Sequence, residues 1–468
     1  MTRTLFKVSI LALLNILISP ANAKQDIADA GRNATSTVLK EEIEDLVENY
    51  AQNNIFEGVV LVEKSGEVIF EKAYGASDRE NKKVFEIQSA IPIASLTKPM
   101  TSTLVLMLAE QGKVDLDSAL SAYFPGFDNE TGKKITLHHL LSHTSGLPNH
   151  FNIDRWFDPE FHTHTSDDEF VSIIATLPLS SAPGTRYEYS NLGYFLLGKI
   201  IEVVMEKPYQ RVFDEMLFSP LKMEDTTFVF DSPSIPVKGY QWANGGGYRE
   251  QSGNSMRLLG AGGAIQSSVS DLFRFQEALH GMNLISENSK KLIFAPNSPY
   301  SWNVNRINLA PNKSVTVHSY DGKFDGYSAM LTRFVEHSHS IIILSNTGTS
   351  FQLKQQLTSD IASVLYNLPV TSREQDVVFT LVNSLVDGNY GAVMQILTRD
   401  NKNLVLEEHS LSALAFEVLW SGLADESLQL FSLVTSKFDE SQKAKENLLF
   451  ACNHRLTNTA SNKEMYCK

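Results

Sequence analysis

The stretch IASLTKPM, residues 93–100, sets Ser95 and Lys98 three positions apart at the head of a helix-like run, Thr97 to Gln111, that stops at Gly112. On a helix, positions i and i+3 share a face about one turn apart. A serine hydroxyl is a weak nucleophile until a neighbouring base takes its proton, and a desolvated lysine can be pushed toward the neutral amine that does so. The start of a helix also offers free backbone N–H groups to a developing oxyanion. Pro99 fits, because the first helical turn tolerates proline. Taken alone, Ser-x-x-Lys is a weak signal, since a solvated serine and lysine give the same string.

Two further stretches give it company. PGTRYEYSNLGYFLLG, residues 183–198, presents Tyr189, Ser190 and Asn191 after a Pro-Gly turn and ahead of an apolar helical run. A phenol in a proton-sharing network can act as a general base, and an asparagine amide both donates and accepts. SYDGKFDGYSAML, residues 319–331, carries Gly322 and Gly326 at the entry to a strand, where glycine permits close backbone approach of a ligand.

These three elements, in this order, resemble the serine β-lactamase and D,D-peptidase superfamily, in its class C β-lactamase-like and carboxylesterase branch. The resemblance runs over roughly residues 40–366 and takes in LLSHTSGLP at 140–148, KGY at 238–240 and GAGGAIQSSVSDLFRF at 260–275. It implies that Ser95 is acylated, that Lys98 and Tyr189 share its proton, and that Asn191 touches the substrate amide or the lysine. It also implies an oxyanion hole made by the backbone N–H groups of Ser95 and Lys323, with no cofactor. The third motif departs from the family pattern of Lys-Thr-Gly or His-x-Gly, because Tyr320-Asp321-Gly322 stands there. A neutral phenol thus replaces the group that normally meets a substrate carboxylate. His318 shares a strand face with Tyr320, yet the glycine spacing assigns Tyr320 to the motif.

Around these motifs the chain reads as α+β. Glu41 to Asn53 has helical spacing, and Phe56–Val62 and Glu67–Tyr74 form a hairpin about Glu63-Lys64-Ser65-Gly66. Helical and irregular segments continue to about residue 260. Ser328–Phe334 and Ser340–Leu344 then read as strands joined by a polar turn. The expected architecture is an antiparallel sheet flanked by helices with a mainly helical insertion. The hydrolase domain is placed at 40–368, ending at Leu368-Pro369, where proline disfavours helix in the preceding residue. Residues 373–468 read as an all-helical unit, with Leu411, Leu414, Ala415, Val418 and Leu419 on one face before Gly422. That tail resembles degenerate tetratricopeptide repeats, which implies either packing on the hydrolase or a protein partner.

Composition bounds the function classes. The 468 residues are 43% apolar and 20% charged, as in ordinary globular chains of two or three folded units. Arg3 and Lys7, the apolar run Val8–Ile18, Pro20 and Ala21-Asn22-Ala23 read as a secretory leader cleaved after Ala23, because the run is short for a bilayer span. Losing that leader moves the net charge from −14 to −16. So acidic a surface repels nucleic acid and anionic lipid, and a small-molecule or peptide substrate in the periplasm or outside the cell is expected. In such a compartment Cys452 and Cys467 are free to pair, with two free thiols as the other reading. His138, His139 and His143 imitate a metal cluster, but no zinc-protease glutamate follows them. Asp167-Asp168-Glu169 reads as a solvated face. Two functions compete: a serine hydrolase of a small ester, amide or D-amino-acid peptide, and a catalytically silent protein that binds cell-wall fragments or a partner.

Overall fold

Val59, Val60, Leu61 and Val62 are four successive apolar residues, the pattern of a strand covered on both faces. In the computed structural model they form an interior strand of the sheet, paired on both edges. The structure describes residues 36–467 apart from short interruptions, of which 371–379 and 399–407 are the longest. The leader expected at 1–23 lies outside the described residues. Strand β1 (Gly58–Lys64) turns through Ser65-Gly66 into β2 (Glu67–Tyr74). Both turn residues have positive φ, 54° and 89°, as a two-residue hairpin with right-handed strand twist requires.

Four later strands complete the sheet: β3 (Asn303–Ala310), β4 (Lys313–Phe324), β5 (Tyr327–Phe334) and β6 (His339–Ser345). Their order is β3-β4-β5-β6-β1-β2, and every neighbouring pair is antiparallel. The sheet flanked by helices agrees with the expected class. It is larger than expected, however, because β3 and most of β4 were not legible as strands. Gly322 sits inside β4, and Gly326, with φ 85°, makes the turn into β5.

Each strand alternates between two cores. Val59, Leu61, Tyr320, Leu331 and Ile342 face an inner core with helices α2 (Thr97–Glu110), α3 (Asn191–Met205) and α4 (Val269–His280). Val60, Val62, Val317, Met330 and Ile343 face an outer core with α1 (Ser36–Gln52) and α5 (Phe351–Leu365). The tail helices α6 (Glu408–Trp420), α7 (Ala424–Lys437) and α8 (Gln442–Asn453) send Leu411, Leu414, Val418, Leu428 and Ala451 into that same outer core. Gly422, with φ 82°, turns α6 into α7. A disulfide joins Cys452 to Cys467 across a Cα–Cα distance of 5.6 Å. Asp167 is not simply solvated, for it bridges Lys199 and Arg257.

Candidate active site

The turn that carries Ser95 is clamped from behind. Ile91–Pro92 pairs with Gln266–Ser267, and the Ile93 N–H donates to the Ile265 carbonyl at 2.9 Å. This fixes the GAGGAIQ stretch against the head of α2. Ala94 has φ 47°, a left-handed conformation that costs energy for a residue with a Cβ and clusters at functional turns. Ser95 follows it, one short 3₁₀ turn ahead of α2.

Ser95 Oγ lies 2.6 Å from Tyr189 Oη and 3.2 Å from Lys98 Nζ. Lys98 is fully buried, and its Nζ also donates to Asn191 Oδ1 at 2.6 Å and to the Gly262 carbonyl. Burial drives the Lys98 pKa far below the usual lysine range, against a weaker opposing pull from Asp321. A neutral amine has two N–H bonds and one lone pair. The two fixed acceptors occupy both N–H bonds and turn the lone pair to the serine hydroxyl. Burial also raises the Tyr189 phenol above its ordinary pKa, outweighing the hydrogen bond from Ser95, so it stays protonated and can give a proton.

Tyr189 and Asn191 are held by the loop at 140–150. Ser190 caps α3, accepting from the Gly193 N–H at 3.3 Å and donating to the Pro148 carbonyl at 2.8 Å. The Ser190 N–H donates to His143 Nδ1 at 3.2 Å, and the His143 ring lies 4.6 Å from that of Tyr189. Asn191 Nδ2 donates to Asn149 Oδ1 at 3.2 Å and to His150 Nδ1 at 2.9 Å. Burial holds His143 and His150 well below the usual imidazole pKa, and a neutral ring is what lets Nδ1 accept. Asn191 therefore points its oxygen at Lys98 with its amide nitrogen anchored behind. His138 bonds the Tyr300 hydroxyl at 2.6 Å, and His139 completes the capping box with Thr136, so the three imidazoles serve separate packing roles.

Strand β4 closes the other side. Gly322 is pressed onto the serine turn: a Cβ there would stand 2.0 Å from the Ile93 carbonyl oxygen and 2.9 Å from the Ser95 nitrogen. Tyr320 is 6% exposed on the same face, and its hydroxyl has no hydrogen-bond partner among the described residues. Burial raises its pKa well above that of a free phenol, so it is neutral. His318 supplies no cation, because it bonds His280 at 3.1 Å and stacks on Phe294 at 4.0 Å, and burial pushes it down to about 4. The Lys323 side chain leaves on the opposite face and pairs with Glu417 of α6. Asn149, His150 and Glu417 escape a sequence reading, since each acts on a residue far away in the chain.

A family model described as Beta-lactamase matches residues 43–365. The chain belongs to the beta-lactamase family. The match ends at the close of α5, before the helical tail. Penicillin-binding protein 4* of Bacillus subtilis is 27% identical, over 79% of this chain and 87% of that protein. The D-alanyl-D-alanine-carboxypeptidase/endopeptidase AmpH of Escherichia coli is 32% identical, over 50% of this chain and 61% of that protein. The crystal structure of D-amino acid amidase from Ochrobactrum anthropi shares the fold, with a TM-score of 0.59, 21% identity, and coverage of 70% of this chain and 98% of that one. Among the described residues, no helix is long and apolar enough to cross a membrane.

Proposed function

We propose that this member of the beta-lactamase family is an exported serine hydrolase that cleaves a small ester, amide or D-amino-acid peptide through an acyl-Ser95 intermediate. The observation that carries this reading is the Ser95 hydroxyl held between a buried Lys98 amine at 3.2 Å and the Tyr189 phenol at 2.6 Å. Lys98 takes the hydroxyl proton as Oγ bonds to the substrate carbonyl carbon. The N–H groups of Ser95 and Lys323 receive the oxyanion. As the carbonyl re-forms, the bond to the leaving group breaks, and Tyr189 protonates the departing oxygen or nitrogen while the new Lys98 ammonium offsets the phenolate charge. Water then attacks the ester, its proton returns to the Lys98–Tyr189 pair, and Ser95 Oγ leaves protonated.

The neutral Tyr320 favours uncharged substrates, since a phenol offers a carboxylate one ordinary hydrogen bond where a cation offers one roughly twice as strong. The names of the relatives support amide and D-amino-acid peptide chemistry, and the leader-like residues Arg3 to Ala23 support export. Intact-mass spectrometry after incubation with a fluorophosphonate tests the reading. One adduct, mapped to Ser95 and absent from Ser95→Ala, is expected. An unmodified protein would overturn it and favour a silent binding protein. A panel of p-nitrophenyl esters, a chromogenic cephalosporin and D-alanyl peptides then ranks the substrate classes.

A further inference from the structure

Side chains of a strand alternate between its faces, so β4 presents Tyr320 and Gly322 to the serine and Asp321 and Lys323 to the outer core. The outer face is where the tail packs. Glu417 lies on α6 at 6% exposure, among Leu414, Ala415 and Val418, a place where a carboxylate persists only with a partner. Its partner is Lys323, whose side chain is 25% exposed. Two other ionisable groups stand within electrostatic reach of the pair. Asp321 is half-buried, and Lys354 of α5 is 3% exposed with no hydrogen-bond partner for its Nζ among the described residues. The Lys323–Glu417 pair thus bonds the helical tail to the strand that closes the site.

We propose that the tail is a working part of the catalytic apparatus: Glu417, by gripping the Lys323 side chain from behind the sheet, holds the Lys323 backbone N–H where the oxyanion forms. This rests on the function proposed above and makes Glu417 a positioning residue. The strand end is held on its inner face and at its turn, where Gly322 meets the Ile93 carbonyl and Gly326 meets the Gly239–Tyr240 backbone, and Glu417 adds the grip from the outer face. The backbone makes a close approach at Gly322 and turns back at Gly326 four residues later, so Lys323 lies near the end of its ladder with β5. A partly buried ion pair is screened less than an exposed one, and losing one member leaves the other charge uncompensated. Freed of Glu417, the Lys323 ammonium turns toward solvent and takes the strand end with it. An oxyanion donor acts on the transition state more than on the bound substrate, so kcat falls while KM stays near its starting value.

The test uses the full-length oxidised protein and the Glu417→Gln, Glu417→Asp and Lys323→Met variants. Removing an oxyanion donor outright costs about 10²–10³ in kcat, so loosening one is expected to cost about tenfold. Glu417→Gln should slow fluorophosphonate labelling of Ser95 and ester kcat by that factor with KM unchanged, and Glu417→Asp should recover part of the loss. Hydrogen exchange of the peptide spanning 319–326 should quicken in Glu417→Gln, with exchange in α2 unaltered. Lys323→Met breaks the pair from the other side and carries the same expectation should Glu417→Gln fail to fold. Rates within twofold of wild type, or unchanged exchange at 319–326, overturn the proposal. An unlabelled wild type overturns the hydrolase reading instead, and the exchange measurement still decides the role of Glu417.

Discussion

Gly322→Ala is the sharpest probe of how β4 meets the nucleophile. A methyl group at 322 would stand 2.0 Å from the Ile93 carbonyl oxygen, whereas ordinary contact begins at 3.4 Å, so strand and serine turn must part by about 1.4 Å. Both neighbours are backbone, and the Ile93 N–H is tied to Ile265, so no flexible side chain can absorb the clash. A misplacement of about 1 Å costs on the order of 10²-fold in rate, and loss of an oxyanion donor about 10²–10³. The expected fall in kcat is therefore about 10²–10³, with a stability loss of about 1–3 kcal/mol from overpacking. The assay is steady-state hydrolysis of p-nitrophenyl butyrate beside a thermal melt, at a temperature where both proteins are folded. Activity within threefold of wild type would refute the argument that close approach at Gly322 builds the site. So would a loss no larger than the unfolded fraction explains.

Four other outcomes are expected. Lys98→Ala and Tyr189→Phe should each lower ester kcat by about 10³-fold, and the double variant should lose little more, because the two move one proton. In a pH–rate profile, burial keeps Lys98 neutral, so activity should persist at neutral and alkaline pH and drop as pH falls through its lowered pKa; stability follows a different window, because the unfolded lysine takes up its proton in the ordinary lysine range while the buried amine does not, so the melt should weaken as pH falls from that alkaline range toward the lowered pKa and level off below it. Cys452→Ser should destabilise the tail by about 3 kcal/mol in the chain-entropy model for a separation of 15 residues, read by urea titration against the oxidised parent. Tyr320→Lys should raise kcat/KM for a chromogenic cephalosporin relative to a neutral ester by about tenfold; a wild-type cephalosporin kcat/KM of about 10⁷ M⁻¹s⁻¹ or more, approaching the diffusional ceiling of about 10⁸–10⁹ M⁻¹s⁻¹, would show that no cation is needed there.

Parts of this molecule are legible in sequence because local geometry carries them. The apolar run at 59–62 and the polar, glycine-bearing stretch Glu63-Lys64-Ser65-Gly66 announce a hairpin, although Glu63 and Lys64 prove to extend the strand and only Ser65-Gly66 turns, and helical spacing alone sets Lys98 beside Ser95. Tyr189 arrives from 94 positions away, and only the family resemblance points to it. Strand β4 is hidden because it buries His318, Ser319 and Tyr320, polar residues that break the apolar pattern and whose burial depends on neighbours such as His280 and Phe294. Asn149 and His150 act on Asn191 from the preceding loop, and no spacing rule links a loop imidazole to a helix-start amide.

The alternation of β4 explains why catalysis and the tail meet in one strand. Tyr320 and Gly322 serve the site, and the residues between and after them, Asp321 and Lys323, cannot point there, so their charges must be met on the outer face. A family member that lacked the tail would leave Lys323 exposed to water at little cost, because an exposed ammonium is well solvated. Here the outer face is covered by α5 and α6, and the ammonium is drawn into a setting where it needs a carboxylate. Glu417 supplies one. Covering the sheet and pairing the lysine are thus one structural event, and a change in α6 is transmitted to the strand end whose backbone faces the nucleophile.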